Sequence, residues 1–176
     1  KKNGKLRGIA VGSYLEVTAP PSGELGKITF EPDGSVKLTT GTLDYGQGHA
    51  TPFAQVLSAQ LGVPFDRITL EQNDSDLVRF GNGTGGSRSI TATGQAIIEA
   101  SALVVAKGKQ AAAHLMEASE GDIEFADGRF TIAGTDRSIG IMELAQRVRE
   151  GKLPEGAPES LDVDHATKET PSTFPN

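Results

Sequence analysis

The apolar positions of the chain follow the period of a strand first and the period of a helix later. Residues 8–19, GIAVGSYLEVTA, are rich in β-branched and apolar side chains and predict a first strand. Residues 27–46 predict a β-hairpin that turns at residues 31–34, because Pro32 and the Asp33-Gly34 pair supply the dihedral angles of a tight turn. The chain is therefore expected to begin with antiparallel β-structure.

The middle of the chain predicts two helices separated by a strand. Residues 49–61 predict an amphipathic helix that ends at Gly62. Four apolar side chains share one face of this helix: Phe53, Val56, Leu57 and Leu61. Residues 67–74 predict a strand, and residues 90–117 predict a long helix. Ala, Ile and Val surround much of that helix, so we expect neighbouring elements to cover it on more than one side.

The last third of the chain predicts a second hairpin over residues 122–134, which turns at 126–128, and a short helix over 141–151. The order of elements, with adjacent antiparallel hairpins and packed helices, predicts an α+β fold rather than a doubly wound sheet. We expect one domain at residues 1–152. The Pro- and Glu-rich residues 153–176 are expected to form an extended tail that leads to a missing C-terminal part.

The net charge and the absence of cysteine limit the kinds of partner and metal site that the chain can have. The chain has 176 residues, a net charge of -6 and no cysteine, which argues against a basic face for nucleic acid and excludes disulfides and thiolate metal sites. No signal peptide is expected, because the first residues show no charged region followed by an apolar run. The most apolar segment, residues 96–116, is interrupted by Glu99, Lys107 and Lys109, so no membrane span is expected. The expected location is the cytoplasm, with no nucleic acid or membrane partner.

Two polar, glycine-rich loops each precede a helix N-terminus, where unpaired amides and the positive end of the helix dipole favour an anion. Glycine also allows the backbone to approach a ligand closely. The candidate binding residues are Gly46, Gln47, Gly48 and His49 in the first loop, and Thr84, Gly85, Gly86, Ser87, Arg88 and Ser89 in the second. An alternative is that both loops only cap their helices, as in a purely structural domain.

Familiar nucleotide and catalytic motifs do not account for these loops. Residues 81–86, GNGTGG, fit the spacing of a dinucleotide motif but do not directly follow a strand, and the loop lacks the Gly-Lys-Ser/Thr ending of a phosphate loop. The three histidines, His49, His114 and His165, show no metal-ligand spacing. No ordering of Ser, His and Asp indicates a nucleophile. The sequence therefore predicts binding loops without a catalytic centre.

Residues 41–76 and 80–97 closely resemble the molybdenum-binding large subunit of the xanthine dehydrogenase and aldehyde oxidase family. The shared features are Gly-Gln-Gly before a helix, Leu-Gly-Val-Pro at its end, a strand, and then a Gly/Thr/Ser loop that ends in Gly-Gln-Ala. The resemblance is greatest to the bacterial branch that includes aerobic carbon monoxide dehydrogenase large subunits. It implies the α+β fold of a molybdenum-cofactor-binding domain.

The resemblance also implies roles for the loop residues. Gly46, Gln47 and Gly48 would contact the pterin and the oxo-molybdenum end of the cofactor. Residues 84–89 would contact the pterin phosphates and, as in bacterial members, a cytosine dinucleotide. Because the dithiolene of the cofactor holds the molybdenum, no protein ligand to the metal is expected.

In this family the enzyme hydroxylates an aldehyde, a heterocycle or a related carbon substrate, with water as the oxygen source. Its catalytic glutamate lies in a Glu-Gly-type motif near the C-terminus of the full subunit, and the resemblance places that motif outside these 176 residues. The resemblance therefore assigns no catalytic residue to this chain and implies that the chain alone is inactive. It implies partner subunits that carry iron–sulfur clusters and flavin. The alternative is a non-catalytic phosphate- or nucleotide-binding module that uses the same two loops.

Overall fold

The computed structural model describes residues 2–18, 22–151, 153–170 and 172. Within these residues the chain forms seven strands and three α-helices. In chain order they are β1 (Leu25–Phe30), β2 (Val36–Thr39), α1 (Ala50–Leu61), β3 (Ile68–Glu71), α2 (Ser89–Met116), β4 (Ile123–Ala126), β5 (Arg129–Ile132), β6 (Ser138–Gly140), α3 (Ile141–Arg149) and β7 (Val163–Ala166). The mixture of antiparallel hairpins and packed helices confirms the predicted α+β class.

The larger sheet has four strands in the order β3-β2-β1-β7. The predicted hairpin of β1 and β2 is confirmed, and Gly34 N donates to Glu31 O across its turn at 3.1 Å. Strand β3 is shorter than predicted and pairs with β2 in parallel, with Val36 opposite Ile68. A parallel pair requires a crossover connection, which α1 provides here.

The outer strand β7 comes from the segment that the sequence assigned to the tail. It pairs antiparallel with β1, with Ile28 opposite Val163, and Leu161 and Val163 are buried in the core. The expected boundary at residue 152 separates this segment from the domain, whereas the structure places Val163–Ala166 in the same sheet as β1.

The smaller sheet has three strands in the order β4-β5-β6. The predicted hairpin of β4 and β5 is confirmed, and its two turn residues, Asp127 and Gly128, both have positive φ. Such angles match the twist of the flanking strands. Strand β6 has only three residues and continues directly into α3, which is too short for a sequence pattern to reveal.

Helix α2 is the central element of the molecule. It contacts α1, α3 and strands of both sheets, so the expectation of cover on more than one side is confirmed. Among the described residues, α2 is also the single helix whose length and apolar content would suffice to cross a bilayer. Its packing between the sheets accounts for that apolar content.

The strand predicted over residues 8–19 is wrong for the described part of that range. Residues 8–18 have no regular secondary structure, and the side chains of Ile9 and Val11 are both 98% exposed. Strand geometry needs a neighbouring strand that accepts and donates backbone hydrogen bonds. Among the described residues, no strand of either sheet pairs with this segment.

Candidate functional site

The two glycine-rich loops lie side by side and enclose an open cavity of about 460 Å³, which is within the usual range for small-molecule sites. Seven of the ten predicted residues line it: Gln47, His49, Thr84, Gly85, Gly86, Ser87 and Ser89. Pro52, Phe53 and Ile90 complete the lining. Gly46, Gly48 and Arg88 belong to the loops but do not line the cavity.

Thr84 joins the two loops. Its hydroxyl donates to the carbonyl oxygen of Leu43 at 2.6 Å and accepts from the amide of Leu43 at 3.1 Å. Ser89 Oγ donates in turn to Thr84 Oγ1 at 3.2 Å. One hydroxyl therefore connects the start of the first loop to the second loop and to the first residue of α2.

Asp44 holds the first loop in place. Its Oδ1 accepts from the amides of Gly46 at 2.7 Å and Gly48 at 3.2 Å, and its Oδ2 accepts from the amide of His49 at 2.6 Å. These bonds, above all the one from His49, lower the pKa of the Asp44 carboxyl. The amides of Gly46, Gly48 and His49 were expected to offer unpaired donors to an anion. That expectation is wrong, because Asp44 already accepts all three.

Gln47 and His49 are the two residues of the first loop that reach the cavity. Gln47 Oε1 accepts from the amide of Tyr45, which folds the side chain over its own loop. The His49 side chain is buried and packs on Phe53, with ring centroids 5.0 Å apart. Its Nδ1 is buried and has no hydrogen-bond partner within the described part of the chain. A buried polar atom without a partner carries a desolvation cost that a bound ligand can relieve.

The second loop has the unpaired amides that the first lacks. Ser87 adopts φ 57° and Gly86 adopts φ 56°, both left-handed, and strained non-glycine backbone of this kind is concentrated at functional sites. The amides of Gly86 and Ser87 have no acceptor among the residues that the structure describes. They lie just before the first residue of α2, where the helix dipole favours negative charge.

Arg88 braces the second loop. Its guanidinium donates to the carbonyl oxygens of Asn82 and Gly83, the latter at 3.3 Å. The phosphate contact that the resemblance implies for Arg88 therefore stays a prediction, since these carbonyls already accept from its Nη2.

Glu24 holds the backbone of Gly41, which lies against Gly81 of the second loop, and sequence reasoning missed it. Its side chain is buried, and Oε1 accepts from the amides of Leu25 at 2.7 Å and Gly41 at 2.8 Å. Burial raises the pKa of the Glu24 carboxyl, although Arg88 and the two amides oppose the shift. A Cβ on Gly81 would lie 2.4 Å from the Cα of Gly41. The contact between these two backbone segments therefore requires glycine.

His165, Glu99, Asp74 and Asp76 lie outside the cavity lining. His165 Nε2 is 2.7 Å from Glu99 Oε2, and Asp74 Oδ1 accepts from the amide of Asp76 at 2.8 Å. Within the described ranges, no three His, Asp or Glu side chains are arranged to hold a metal ion.

Residues 1–176, the entire chain, match the family model described as the molybdopterin cofactor-binding domain. The chain belongs to this family. The family inferred from residues 41–76 and 80–97 is confirmed.

The carbon monoxide dehydrogenase large chain of Afipia carboxidovorans is 35% identical over 153 residues, which cover 80% of this domain and 19% of that protein. The nicotine 6-hydroxylase large subunit of Paenarthrobacter nicotinovorans is 29% identical over 191 residues, which cover 100% of this domain and 23% of that protein. The domain thus spans about a fifth of the length of these relatives.

A crystal structure of the Cu,Mo-CO dehydrogenase in its carbon monoxide reduced state superposes with a TM-score of 0.81 at 30% identity. The superposition covers 90% of this domain and 22% of that chain. The domain therefore matches one part of the large chain or large subunit of these relatives. These findings do not support the alternative of a separate phosphate- or nucleotide-binding module.

Proposed function

We propose that the cavity between the two loops binds the phosphate-bearing pterin of the molybdenum cofactor. The observation that carries this proposal is the joint lining of the cavity by residues of both loops, with the unpaired amides of Gly86 and Ser87 beside it. In the whole subunit this domain would then form one part of the cofactor cradle.

The chemistry of the cavity lining fits an anionic group. None of the ten lining residues is a carboxylate, although the chain has a net charge of -6. The hydroxyl of Ser87 adds a donor beside the amides. Hydrogen bonds to a charged group typically contribute about 1.5–3 kcal/mol each, so a few such bonds would hold the phosphate firmly.

The remaining residues suit the pterin body. Phe53, Pro52 and Ile90 supply an apolar surface that excludes water from a flat ring system. His49 Nδ1 and the side-chain amide of Gln47 would hydrogen-bond the polar edge of the pterin. When bound, the cofactor would supply the molybdenum redox chemistry that oxidises the substrate.

The activity of the whole subunit is proposed to be oxidative hydroxylation of an aldehyde, a heterocycle or a related carbon substrate. Water would supply the oxygen. The general-base glutamate is expected outside these 176 residues, so none of the loop residues is given a catalytic role. We expect no turnover from the isolated chain with aldehydes or purines and a dye acceptor.

The finer features of the proposal follow from the resemblance to the bacterial branch. They are the cytosine dinucleotide form of the cofactor, partner subunits that carry iron–sulfur clusters and flavin, and a cytoplasmic location. The names of the relatives support additional subunits, because each relative is a large chain or a large subunit. The burial of α2 in the core supports a location away from the bilayer.

The proposal is tested by filling the cavity without disturbing the fold. A Cβ on Gly85 would have no neighbour within 4 Å, and the backbone there is not left-handed, so Gly85→Val should fold normally. In the complete large subunit, produced with its partner subunits, we expect this change to lower molybdenum and pterin content by roughly tenfold or more. Metal analysis and the fluorescence of the oxidised pterin measure both quantities.

Gly121→Val is the matched control. A Cβ on Gly121 would lie 3.8 Å from Ser119 Oγ, an ordinary contact, and Gly121 is remote from the cavity lining. This variant should retain full molybdenum and pterin content. If Gly85→Val also retained both, with unchanged thermal unfolding, the proposed site would be wrong.

A further inference from the structure

A second cavity, of about 390 Å³, shares no lining residue with the cavity between the two loops. It is here called the arginine cavity, because Arg67 and Arg149 both line it. Its lining comes from the turn of the first hairpin, from the connection between α1 and β3, and from α3. Helix α3 contributes positions 142, 145, 146 and 149, which have the spacing of one helix face. The volume is within the usual range for a small-molecule site.

Much of the lining of the arginine cavity is apolar. Phe30, Pro32, Pro64, Met142 and Ala145 all contribute to it. Phe30 and Ala145 are buried in the core, and Met142 packs against that core. A lining of this kind binds the carbon-rich part of a small ligand.

The carboxylates of the lining are already paired. The arginine cavity is lined by two glutamates, Glu31 and Glu143, as well as by its two arginines. Glu31 Oε1 lies 2.7 Å from Lys37 Nζ, and Glu143 Oε1 accepts from Arg147 Nη2 at 2.7 Å. Neither Lys37 nor Arg147 lines the cavity. The negative charge of both glutamates is therefore balanced by cations outside the lining.

The two arginines, in contrast, have no ion-paired carboxylate within the described part of the chain. Arg149 Nη2 donates to the carbonyl oxygen of Phe30, which holds its guanidinium beside the cavity. Arg67 acts only weakly on Asp33, because hydrogen bonds from Ser35 are the main cause that lowers the pKa of Asp33 and Arg67 is the smallest. The arginine cavity therefore carries two positive charges without a paired anion.

We propose that the arginine cavity is a second ligand site, which binds a small carboxylate with an apolar body. A guanidinium donates paired N–H groups that match the two oxygens of a carboxylate. The apolar lining would cover the body of the ligand. Inorganic phosphate would leave that lining uncovered, since all its oxygens are polar. This inference does not depend on the proposed function, because the two cavities share no residue.

Isothermal titration calorimetry with 4-phenylbutyrate tests the proposal on the complete large subunit, produced with its partner subunits. We expect binding with a Kd on the order of 0.1–1 mM, as for other ligands of this size. The uncharged 4-phenylbutyramide should bind roughly tenfold more weakly or worse, because it lacks the carboxylate. Absence of 4-phenylbutyrate binding, as when other polypeptide fills the cavity, would overturn the proposal. Equal binding of the amide would do the same.

A set of arginine variants locates the binding. The guanidinium of Arg67 is exposed and makes no hydrogen bond within the described ranges, so Arg67→Gln should fold normally. We expect this change to raise the Kd for 4-phenylbutyrate about tenfold. Arg67→Lys, which keeps the charge but not the bidentate geometry, should lie in between. Arg7→Gln is the matched control, because Arg7 is also exposed and does not line the cavity. Equal Kd values for Arg67→Gln and Arg7→Gln would overturn the proposal.

Two further measurements exclude the other sites and ligands. Gly85→Val alters the cavity between the two loops and should leave the Kd for 4-phenylbutyrate unchanged. Loss of binding in that variant, with unchanged thermal unfolding, would place the probe in the other cavity and overturn the assignment. Inorganic phosphate should bind roughly tenfold more weakly than 4-phenylbutyrate or worse. Equally tight binding of phosphate would show that the apolar lining contributes nothing and would overturn the proposed ligand class.

Discussion

At the scale of single residues, two carboxylates shape the loops around the cavity. Asp44 accepts three amides of the first loop, and Glu24 accepts the amides of Leu25 and Gly41. Neither side chain lines the cavity. Both act on the geometry of the residues that do, because a loop whose amides are bound to an internal acceptor keeps its side chains in one arrangement.

The contribution of Asp44 is tested by Asp44→Asn. The substituted amide nitrogen cannot accept from a backbone N–H, so at least one of the three bonds is lost. We expect the amides of Gly46, Gly48 and His49 to exchange with solvent roughly tenfold faster. Amide exchange measured by NMR reports each of these residues separately.

Asp74→Asn is the control for this experiment. Asp74 Oδ1 accepts from the amide of Asp76 in a similar turn outside the cavity lining. The asparagine oxygen can still accept from the amide of Asp76, so this variant should leave both its own turn and the first loop unchanged. Unchanged exchange at His49 in Asp44→Asn would show that the carboxylate does not hold the loop.

The sequence predicted the residues of the two loops better than the carboxylates, Glu24 and Asp44, that hold the neighbouring backbone. Glycine and hydroxyl residues before a helix indicate a binding loop from local composition alone, and seven of the ten predicted residues meet at one cavity. Glu24 could not be found in this way, because its buried side chain joins the residue before β1 to Gly41, which follows β2 and is 17 residues away. Asp44 had a local indication, an Asp two residues before a glycine, which is typical of a side chain that caps its own turn.

At the scale of elements, α2 and the smaller sheet meet at a glycine. A Cβ on Gly108 would lie 2.1 Å from Cζ of Phe130, whose ring is fully buried on β5. Glycine is unfavourable within a helix by about 1 kcal/mol relative to alanine. The close approach of the Phe130 ring to the helix backbone explains its presence here.

We expect Gly108→Ala to destabilise the protein by about 1–3 kcal/mol, because overpacking of the Phe130 ring exceeds the gain in helix propensity. Gly94→Ala in the same helix is the control, since its Cβ would lie 4.0 Å from Ile90 Cδ1. That change should be neutral or stabilise the protein by up to about 1 kcal/mol. Urea denaturation measures both effects, and equal stability of the two variants would contradict the packing argument.

The type of each helix and hairpin was predictable where it depends on residues close together in the sequence. Helices α1, α2 and α3 and the two hairpin turns were all predicted from periodicity and turn residues. The parallel pairing of β3 and the sheet position of β7 were not, because each depends on a partner far away in the sequence. The predicted strand at residues 8–19 failed for the same reason, since no described strand pairs with the part of it that the structure describes.

At the scale of the whole molecule, the carboxyl groups divide into two classes with opposite effects on stability. The pKa of Asp33, Asp44 and Glu99 is lowered, chiefly by hydrogen bonds from Ser35, His49 and Gln95 respectively. These groups stabilise the fold above their unfolded pKa and lose that contribution as the pH falls. The pKa of Glu24 is raised by burial, so its contribution is lost as the pH rises.

Glu24→Gln separates the two classes. Glutamine keeps an oxygen that can accept from Leu25 and Gly41 but cannot ionise. In the native protein, the free energy of unfolding should decline as the pH rises from 4.5 through the raised pKa of Glu24. In Glu24→Gln this decline should be absent.

Below 3.8, the unfolded value of the aspartates, both proteins should lose stability in parallel. Urea denaturation between about pH 3 and pH 8 measures these curves. Parallel curves over the entire range would show that ionisation of Glu24 does not oppose folding.

The pairing of β1 with β7 also constrains the order in which a newly synthesised chain can fold. Glu24 and Thr167, which join the two strands, are 143 residues apart. At about 5–20 residues per second, a ribosome needs on the order of ten seconds to make the intervening polypeptide. Throughout that interval the edge of β1 that later pairs with β7 has unpaired backbone N–H and C=O groups, which can bind a strand of another chain. Nascent-chain chaperones therefore have a defined edge to shield until residue 167 emerges.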